Sequence, residues 1–272
     1  MNNENVCPVC HGTGIESYEL DTSDVYGSKP DGSAVYSEYG RQCTACNGVT
    51  EERRTEAKKN ADLPADYYEN DINDVDWGIY ERVSGKVFDL SQQQIFVNSF
   101  LSDFDKWSTE GIGLYFWSRI KGSGKSYIAS AICNELIERN AINARYVSAS
   151  NLLSMIQNAS RDKYATQYDK DPVLELCECR LLILDDLGQK DTGTKWLNDV
   201  LFRICDERLQ NKRVTLATSN MPIGELNLDD RVIDRMNAMM QMVPLPEVCV
   251  RAYEAARRKQ DLFRNLGLIK NR

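Results

Sequence analysis

The chain has 272 residues, of which 42% are hydrophobic and 27% charged, and its formal net charge at pH 7 is −8. This composition excludes a largely disordered chain, and the acidic balance argues against a broad basic surface for duplex DNA. The sequence shows neither an apolar run of about 20 residues nor a secretory signal, so we expect a cytoplasmic protein without membrane contact.

Two matched cysteine pairs distinguish residues 1–50, which contain too few aliphatic residues to form a large hydrophobic core. The pairs follow the pattern C-x2-C-x32-C-x2-C and consist of Cys7, Cys10, Cys43 and Cys46. Glycines just after each pair let the backbone turn its N–H groups toward the thiolates of a tetrahedral Zn²⁺ site. We therefore predict a small zinc-binding domain over residues 1–50; a redox-active pair is the alternative.

The interval between the cysteine pairs is predicted to contain a short β structure, because Tyr36 and Tyr39 lie beside the turn sequence SKPDGS. Residues 51–90 are interpreted as a linker. They open with the charged stretch EERRTEAKKNADL, which is either a short surface helix or a tether. A helix is predicted after this linker, with Ser91 as its N-cap and apolar residues at helical spacing behind it.

Residues 91–272 are predicted to form one α/β domain, since short apolar runs alternate with amphipathic segments beyond residue 111. This alternation implies a parallel five-stranded sheet between helices. Strands are predicted near 113–117, 144–148, 180–185, 213–218 and 240–245, and helices near 125–139, 150–158, 194–210 and 250–266.

The first predicted strand runs into a phosphate-binding loop, Gly122-Ser123-Gly124-Lys125-Ser126, and a helix follows. Glycines let backbone N–H groups surround the phosphates of ATP, Lys125 reaches the β and γ oxygens, and Ser126 ligates Mg²⁺. Arg119 departs from the pattern G-x-x-x-x-G-K-[ST], since it stands where the first glycine is expected. The predicted nucleotide-binding residues are Lys121, Gly122, Ser123, Gly124, Lys125, Ser126, Tyr127 and Asp185.

Carboxylates and a polar side chain end the next strands of the sheet, beside the phosphate loop. In RLLILDDLG, Asp185 is predicted to hold Mg²⁺, and Asp186 to deprotonate the attacking water, a role more often filled by glutamate. Asn220, at the end of VTLATSN, is predicted to bridge this water and the γ-phosphate. Capping of loops is the structural alternative for these side chains.

Arg231 and Arg235 lie four residues apart in DDRVIDRM and so share one helical face. One interpretation is a solvated charged surface. The other is an arginine supplied to the γ-phosphate of a neighbouring subunit, which requires a homo-oligomer. The candidate catalytic residues are thus Asp186, Asn220, Arg231 and Arg235.

From GLYFWSRIKGSGKS through LLILDDLG, ATSNMP and DRVIDRM to CVRAYEAARRKQDLF, the chain resembles AAA+ ATPases of the DnaC/DnaI helicase-loader and IstB group, over about residues 91–266. The cysteine-bearing start resembles the helicase-contacting domain of the DnaI branch. The resemblance implies an AAA+ P-loop NTPase fold and an ATPase that loads a hexameric replicative helicase onto single-stranded DNA at replication initiation. It also favours Arg235 over Arg231 and places Arg251 near the nucleotide.

The resemblance further makes the helix from Ser150 to Tyr168 an insertion that contacts single-stranded DNA. Its polar, basic and aromatic residues suit phosphate contacts and base stacking. They are Asn151, Asn158, Arg161, Lys163, Tyr164 and Tyr168.

Two alternative functions use the same motifs. An IstB-type ATPase would assist DNA transposition, although such proteins usually have a helical leader without zinc. A zinc-organised adaptor would use its nucleotide site as a switch with negligible turnover, and Asp186 in place of glutamate keeps this alternative open.

Overall fold

The structure is a computed structural model that describes residues 9, 13, 15–21, 29, 33, 36–43, 48–161, 171–188, 195–266 and 268. Two β-sheets occur in these residues: a two-stranded antiparallel sheet near the N-terminus and a five-stranded parallel sheet. None of the helices described is long and apolar enough to cross a membrane.

The N-terminal sheet is a β-hairpin formed by β1 (Ile15–Asp21) and β2 (Tyr36–Gln42). The register pairs Ile15 with Gln42 at the open end and Asp21 with Tyr36 at the other. Glu16 is buried and accepts a hydrogen bond from the Arg41 guanidinium across the two strands. This hairpin confirms the short β structure that is predicted between the cysteine pairs.

The residues predicted as a linker form helices that pack on the core. Helix α1 (Glu51–Asn60) begins where the Thr50 side chain accepts a hydrogen bond from the Arg53 N–H group. Its Ala57, with Ala61 just beyond the helix, is buried in the main hydrophobic cluster. The sequence does not indicate this packing because α1 is mostly polar. Two small residues, Ala57 and Ala61, lie on the face that contacts the core, and their spacing of four places them together.

Two short 3₁₀ turns (Ala65–Tyr67 and Ile72–Asp74) lead to α2 (Ile79–Ser84). Helices α3 (Ser91–Ser102) and α4 (Phe104–Glu110) come next. The prediction that Ser91 caps α3 is wrong: Leu90 is the N-cap residue, and Ser91 is the first helical residue. The Asp89 carboxylate accepts from both the backbone N–H and the hydroxyl of Ser91, which orients that serine into the helix.

The parallel sheet has the strand order β4-β5-β6-β3-β7. Its strands are β3 (Gly113–Trp117), β4 (Ala144–Ser148), β5 (Leu181–Leu187), β6 (Val214–Ser219) and β7 (Met240–Pro244). All five strands are predicted from the sequence to within two residues at each end.

Helices cover both faces of this sheet. Those that follow β3 are α5 (Lys125–Asn140), α6 (Ala149–Arg161), α7 (Pro172–Glu178), α8 (Lys195–Gln210) and α9 (Asp230–Met239). Helix α10 (Val250–Asn265) comes last and has no buried residue. Side chains of α1, α3 and α5 pack with one face of the sheet, and those of α6, α7, α8 and α9 pack with the other. The predicted α/β fold with a parallel sheet between helices is confirmed.

The sheet face covered by α8 contains a fully buried arginine, Arg208. Its Nη1 donates to the carbonyl oxygens of Leu176 and Cys179 at 2.7 and 2.9 Å, and its Nε donates to Thr215 Oγ1 at 2.9 Å. Nη2 donates to the Val214 carbonyl. Because cations are favoured at helix C-termini, this guanidinium anchors the end of α7 between α8 and β6.

Candidate functional site

The loop between β3 and α5 has the backbone of a phosphate-binding loop. Gly122 and Gly124 have φ angles of 78° and 97°, in the left-handed region that favours glycine. An added Cβ at Gly122 would lie 2.9 Å from the Cβ of Arg251. Both glycines are therefore required by the loop geometry, and Gly124 directly precedes the first turn of α5.

The Lys125 ammonium group lies inside this loop. Its Nζ is 3.1 Å from the Ile120 carbonyl oxygen and 3.2 Å from Ser123 Oγ. Burial lowers the pKa of Lys125, while the charges of Asp186 and Asp185 oppose that shift. The loop thus holds a cation where the β- and γ-phosphates of a nucleotide are expected.

Arg119, which replaces the first glycine of the motif, does not distort the loop. It is not among the described non-glycine residues with positive φ, so an ordinary side chain is tolerated there. Its guanidinium makes two hydrogen bonds to the Glu225 carboxylate, at 2.8 and 2.9 Å. This half-exposed ion pair directs the arginine away from the phosphate loop.

Side chains along β5 point alternately to the two faces of the sheet, so Asp185 shares a face with Leu181 and Ile183. That face is the one covered by α5. The carboxylate is only 6% exposed, and its Oδ1 accepts a hydrogen bond of 2.7 Å from Ser126 Oγ. These are the two residues predicted to hold Mg²⁺. Their oxygen atoms are the ligand type that Mg²⁺ prefers, so the donor set fits this ion.

Two more hydroxyl groups reach the Asp185 carboxylate. Thr218 Oγ1 donates to Oδ1 at 2.6 Å, and Tyr146 OH donates to Oδ2 at 2.7 Å. The sequence predicts a role for Asn220, two residues after Thr218, but for neither Thr218 nor Tyr146. The sequence feature that indicates Tyr146 is a tyrosine within the strand ARYVS, which pairs with the strand that carries the two aspartates.

Asp186 and Asn220, two of the predicted catalytic residues, lie together. Asn220 Nδ2 is 3.3 Å from Asp186 Oδ1, and the Asp186 N–H group donates to Thr218 Oγ1 at 2.9 Å. Asp186 has a φ of 55°, and the pairing of β5 with β6 is irregular between Leu184 and Leu187. The backbone therefore leaves its regular strand geometry at Asp186, as happens often at functional sites.

The outer side of the phosphate loop is held by residues that the motif does not include. Tyr80 OH donates to the Ser123 carbonyl oxygen at 2.8 Å, and the Arg251 N–H group donates to the Gly122 carbonyl oxygen at 3.0 Å. Burial raises the pKa of Tyr80 well above its usual value, so the phenol remains a hydrogen-bond donor. Arg251 is thus adjacent to the loop, while Tyr80 was missed from the sequence.

Arg231 and Arg235 are placed on α9 facing α8 of the same chain. Arg235 Nε donates to Asp206 Oδ1 at 2.8 Å, and Arg231 Nη2 donates to Asp199 Oδ1 at 3.3 Å. Both guanidinium groups also lie over the Phe202 ring. Within one chain, their described contacts are therefore with α8 and not with the phosphate loop.

The remaining predicted site residues differ in position. Lys121 is exposed, whereas Tyr127 is partly buried and its raised pKa reflects burial and the nearby charges of Asp71 and Asp74. Asn151 is exposed on α6. The side chains of Asn158 and Arg161, and the residues Lys163, Tyr164 and Tyr168, lie outside the described part of the chain.

The predicted zinc ligands are described only in part. Cys43 is buried directly after β2, and Cys7, Cys10 and Cys46 lie outside the described residues. Among the residues that the structure does describe, no group of three or more metal-ligating side chains is found. The zinc site stays a prediction.

The strand order, the phosphate loop after β3 and the carboxylates at the end of β5 define the AAA+ P-loop NTPase fold. Residues 119–251 match the model of a family described as IstB-like ATP binding protein. The central part of the chain is thus similar to IstB-like ATP binding proteins.

Curated proteins and solved structures are also similar to this chain. The chain is 30% identical to the replicative helicase loader DnaC of Escherichia coli (strain K12) over 127 residues, which are 46% of this chain and 50% of DnaC. It spans about half the length of the curated relatives it matches. The fold is similar to a crystal structure of DnaI, with a TM-score of 0.53, 21% identity, and 70% of this chain and 97% of that chain covered. A crystal structure of the DnaC helicase loader gives a TM-score of 0.53 at 18% identity, covering 67% of this chain and all (100%) of that chain.

Proposed function

We propose that this protein is an ATP-dependent loader of a hexameric replicative DNA helicase, which it places on single-stranded DNA during replication initiation. The observation that carries the proposal is the Ser126–Asp185 contact of 2.7 Å beside the phosphate loop, in a domain similar to replicative helicase loader DnaC. Cytoplasmic location and ATP-dependent assembly of several copies belong to the same proposal.

In this proposal the backbone N–H groups of residues 122–126 and the Lys125 ammonium bind the phosphates of ATP. Ser126 and Asp185 hold Mg²⁺, which when bound neutralises part of the negative charge on the phosphates. The hydroxyl groups of Tyr146 and Thr218 bond the Asp185 carboxylate, and because these donors carry no charge they do not compete with a cation at this site.

Hydrolysis to ADP and phosphate is assigned to Asp186, which accepts a proton from the attacking water, and to Asn220, which orients that water. Their contact of 3.3 Å supports this pairing. Arg235 is proposed to reach the γ-phosphate bound to a neighbouring copy, with Arg231 as the alternative residue.

Changing Asp186 to asparagine is expected to lower the steady-state rate of phosphate release at least about 100-fold, because the amide is not a proton acceptor. Binding of a fluorescent ATP analogue should change less than about twofold, since the phosphates are held by the loop. Both are measured with and without single-stranded DNA. Turnover equal to that of the unchanged protein would contradict the role of Asp186, and negligible turnover in both proteins would favour the nucleotide-switch adaptor.

Changing Arg235 to alanine is expected to leave ATP binding intact while hydrolysis no longer rises with protein concentration. The physical reason is that an arginine from a neighbouring subunit stabilises charge only in the transition state. Initial rates across a range of protein concentrations give the measurement, and Arg231→Ala is the matched comparison on the same helix. If Arg235→Ala retains the concentration dependence and Arg231→Ala loses it, the two roles are reversed.

A zinc-binding N-terminal domain that docks on the helicase completes the proposal. The β1–β2 register supports it, because pairing Ile15 with Gln42 brings the segment after the first cysteine pair beside the strand that leads into Cys43. Closure of the 32-residue interval is thereby achieved by backbone hydrogen bonds rather than by the metal alone.

Chelation of zinc is expected to abolish a separate thermal transition of the N-terminal domain, since metal binding supplies most of the folding free energy of such domains. The transition of the ATP-binding core should stay at the same temperature. Calorimetry before and after a strong chelator measures both, together with the zinc content. A metal-free protein, or a trace that chelation does not alter, would rule the zinc domain out.

Loading is tested by mixing the full chain with the replicative helicase of its host, ATP and Mg²⁺, followed by size-exclusion chromatography. We expect a co-eluting complex that the variant Cys7→Ser/Cys10→Ser does not form, although that variant still binds ATP. Absence of a complex with the unchanged chain would refute the loader. ATP turnover stimulated by duplex DNA and a transposase would instead favour the IstB-type function.

A further inference from the structure

The Asp185 carboxylate is held from both neighbouring strands of the sheet. In the order β4-β5-β6, the hydroxyl of Tyr146 reaches Oδ2 from one side and that of Thr218 reaches Oδ1 from the other. Ser126 Oγ also donates to Oδ1. With both oxygen atoms bonded, the carboxylate plane is fixed in one orientation, and Oδ1 is directed toward the phosphate loop.

Tyr146 has no part in the phosphate-loop motif, yet it is suited to this contact. It lies on β4 two residues before Ser148, which is the register partner of Asp185. The side chain is buried, and its ring meets the Tyr67 ring edge-on with 6.3 Å between centroids. Tyr67 is the last residue of the 3₁₀ turn Ala65–Tyr67, which precedes the parallel sheet in the chain. This turn therefore holds the ring of Tyr146 from outside the sheet.

Charge explains why a phenol is useful at this position. The Tyr146 hydroxyl is an uncharged donor, and it makes a hydrogen bond of 2.7 Å to Asp185 Oδ2. A lysine or arginine at the same place would neutralise Asp185 and repel a metal cation. A neutral donor orients the carboxylate and leaves its charge available.

We infer that Tyr146 is a positioning residue for Mg²⁺ at the nucleotide site: by fixing Oδ2 of Asp185 it presents Oδ1, together with Ser126, to the metal. In this role Tyr146 acts through Asp185, to which its hydroxyl is bonded. Its effect therefore lies in how strongly nucleotide binding depends on Mg²⁺. The inference rests on the proposed nucleotide site and adds a residue that the sequence motifs do not contain.

The test is the substitution Tyr146→Phe, which removes one hydroxyl and keeps the ring that packs against Tyr67. The Mg²⁺ concentration for half-maximal binding of a fluorescent ATP analogue is expected to rise about tenfold, because a hydrogen bond to a charged group is lost. Binding of the same analogue in excess chelator should stay unchanged. Tyr115→Phe is the matched control, since Tyr115 is a buried tyrosine of the same sheet whose hydroxyl donates to the Met221 carbonyl oxygen.

Each outcome decides the inference. An unchanged Mg²⁺ requirement in a folded Tyr146→Phe protein would overturn it, and so would an equal loss of binding with and without Mg²⁺, which indicates a general structural role. Tyr146→Met gives the same comparison if the phenylalanine variant does not fold. If the unchanged protein binds no nucleotide under any condition, the proposed function fails, and this result is distinct from a failure of Tyr146 alone.

Discussion

Changing Lys125 to alanine is expected to lower the affinity for ATP at least about 100-fold, which corresponds to about 2.7 kcal/mol. The ammonium is enclosed by the loop, with acceptors at the Ile120 carbonyl and Ser123 Oγ. Alanine removes the cation that makes charge-assisted hydrogen bonds to phosphate, and no other lysine of the loop is buried to replace it. Equilibrium titration with a fluorescent ATP analogue measures the loss.

A control variant and circular dichroism separate an effect on ATP affinity from an effect on folding. Lys86→Ala removes an exposed lysine outside the loop and should bind ATP as the unchanged protein does. Circular dichroism of the Lys125 variant should show the same helix content as before. If this variant is folded and binds ATP within about threefold of the unchanged protein, the loop is not the phosphate site and the ATPase proposal falls.

Changing Arg208 to methionine is expected to lower the free energy of unfolding of the core by about 3–5 kcal/mol, because several buried acceptors lose their donor at once. Arg208 is 0% exposed, and its guanidinium satisfies the carbonyl oxygens of Leu176, Cys179 and Val214. Methionine fills most of the volume but donates no hydrogen bond, so these buried acceptors lose their partner. Each unsatisfied buried acceptor costs about 1–3 kcal/mol, although such costs do not add fully.

Arg203→Met on the same helix is the matched comparison. Arg203 is 42% exposed and pairs with Asp171 and Glu207 at the surface, where ion pairs contribute about 1 kcal/mol or less. Urea unfolding followed by circular dichroism measures both variants. Equal, small losses for the two substitutions would mean that the carbonyl groups around Arg208 find other donors.

The regular part of the fold is predictable because its signals are local. Each strand of the parallel sheet is a short apolar run, and β3 is followed directly by the glycines that open α5. The unpredicted helices α2, α4 and α7 have six or seven residues each, too few for a helical repeat to show in the sequence. Helix α9 is indicated in the sequence only by Arg231 and Arg235, whose spacing places them on one helical face.

The candidate site divides in the same way. Lys125, Ser126, Asp185 and Asp186 are identified by motifs of a few residues. Tyr146 and Tyr80 are not, because their contacts join residues 39 and 43 positions apart in the chain. The ion pair of Arg119 joins residues even farther apart in the sequence, since Glu225 lies 106 positions after it. Such pairings arise from the order of the strands, which no single segment encodes.

The main-chain contact between the N-terminal region and β4, an edge strand of the parallel sheet, determines which fragments of the chain keep this edge covered. The Tyr146 N–H group donates to the Ala61 carbonyl oxygen at 2.8 Å, so the end of α1 covers an otherwise open sheet edge. A fragment that begins after Ala61 would leave the Tyr146 N–H group without this acceptor, and the exposed strand edge could then pair with the edge of another molecule and cause aggregation. A fragment that starts at Gly48 keeps the cover together with the Arg53 contact to the Gly48 carbonyl, and it is the shorter unit we expect to remain monomeric during purification.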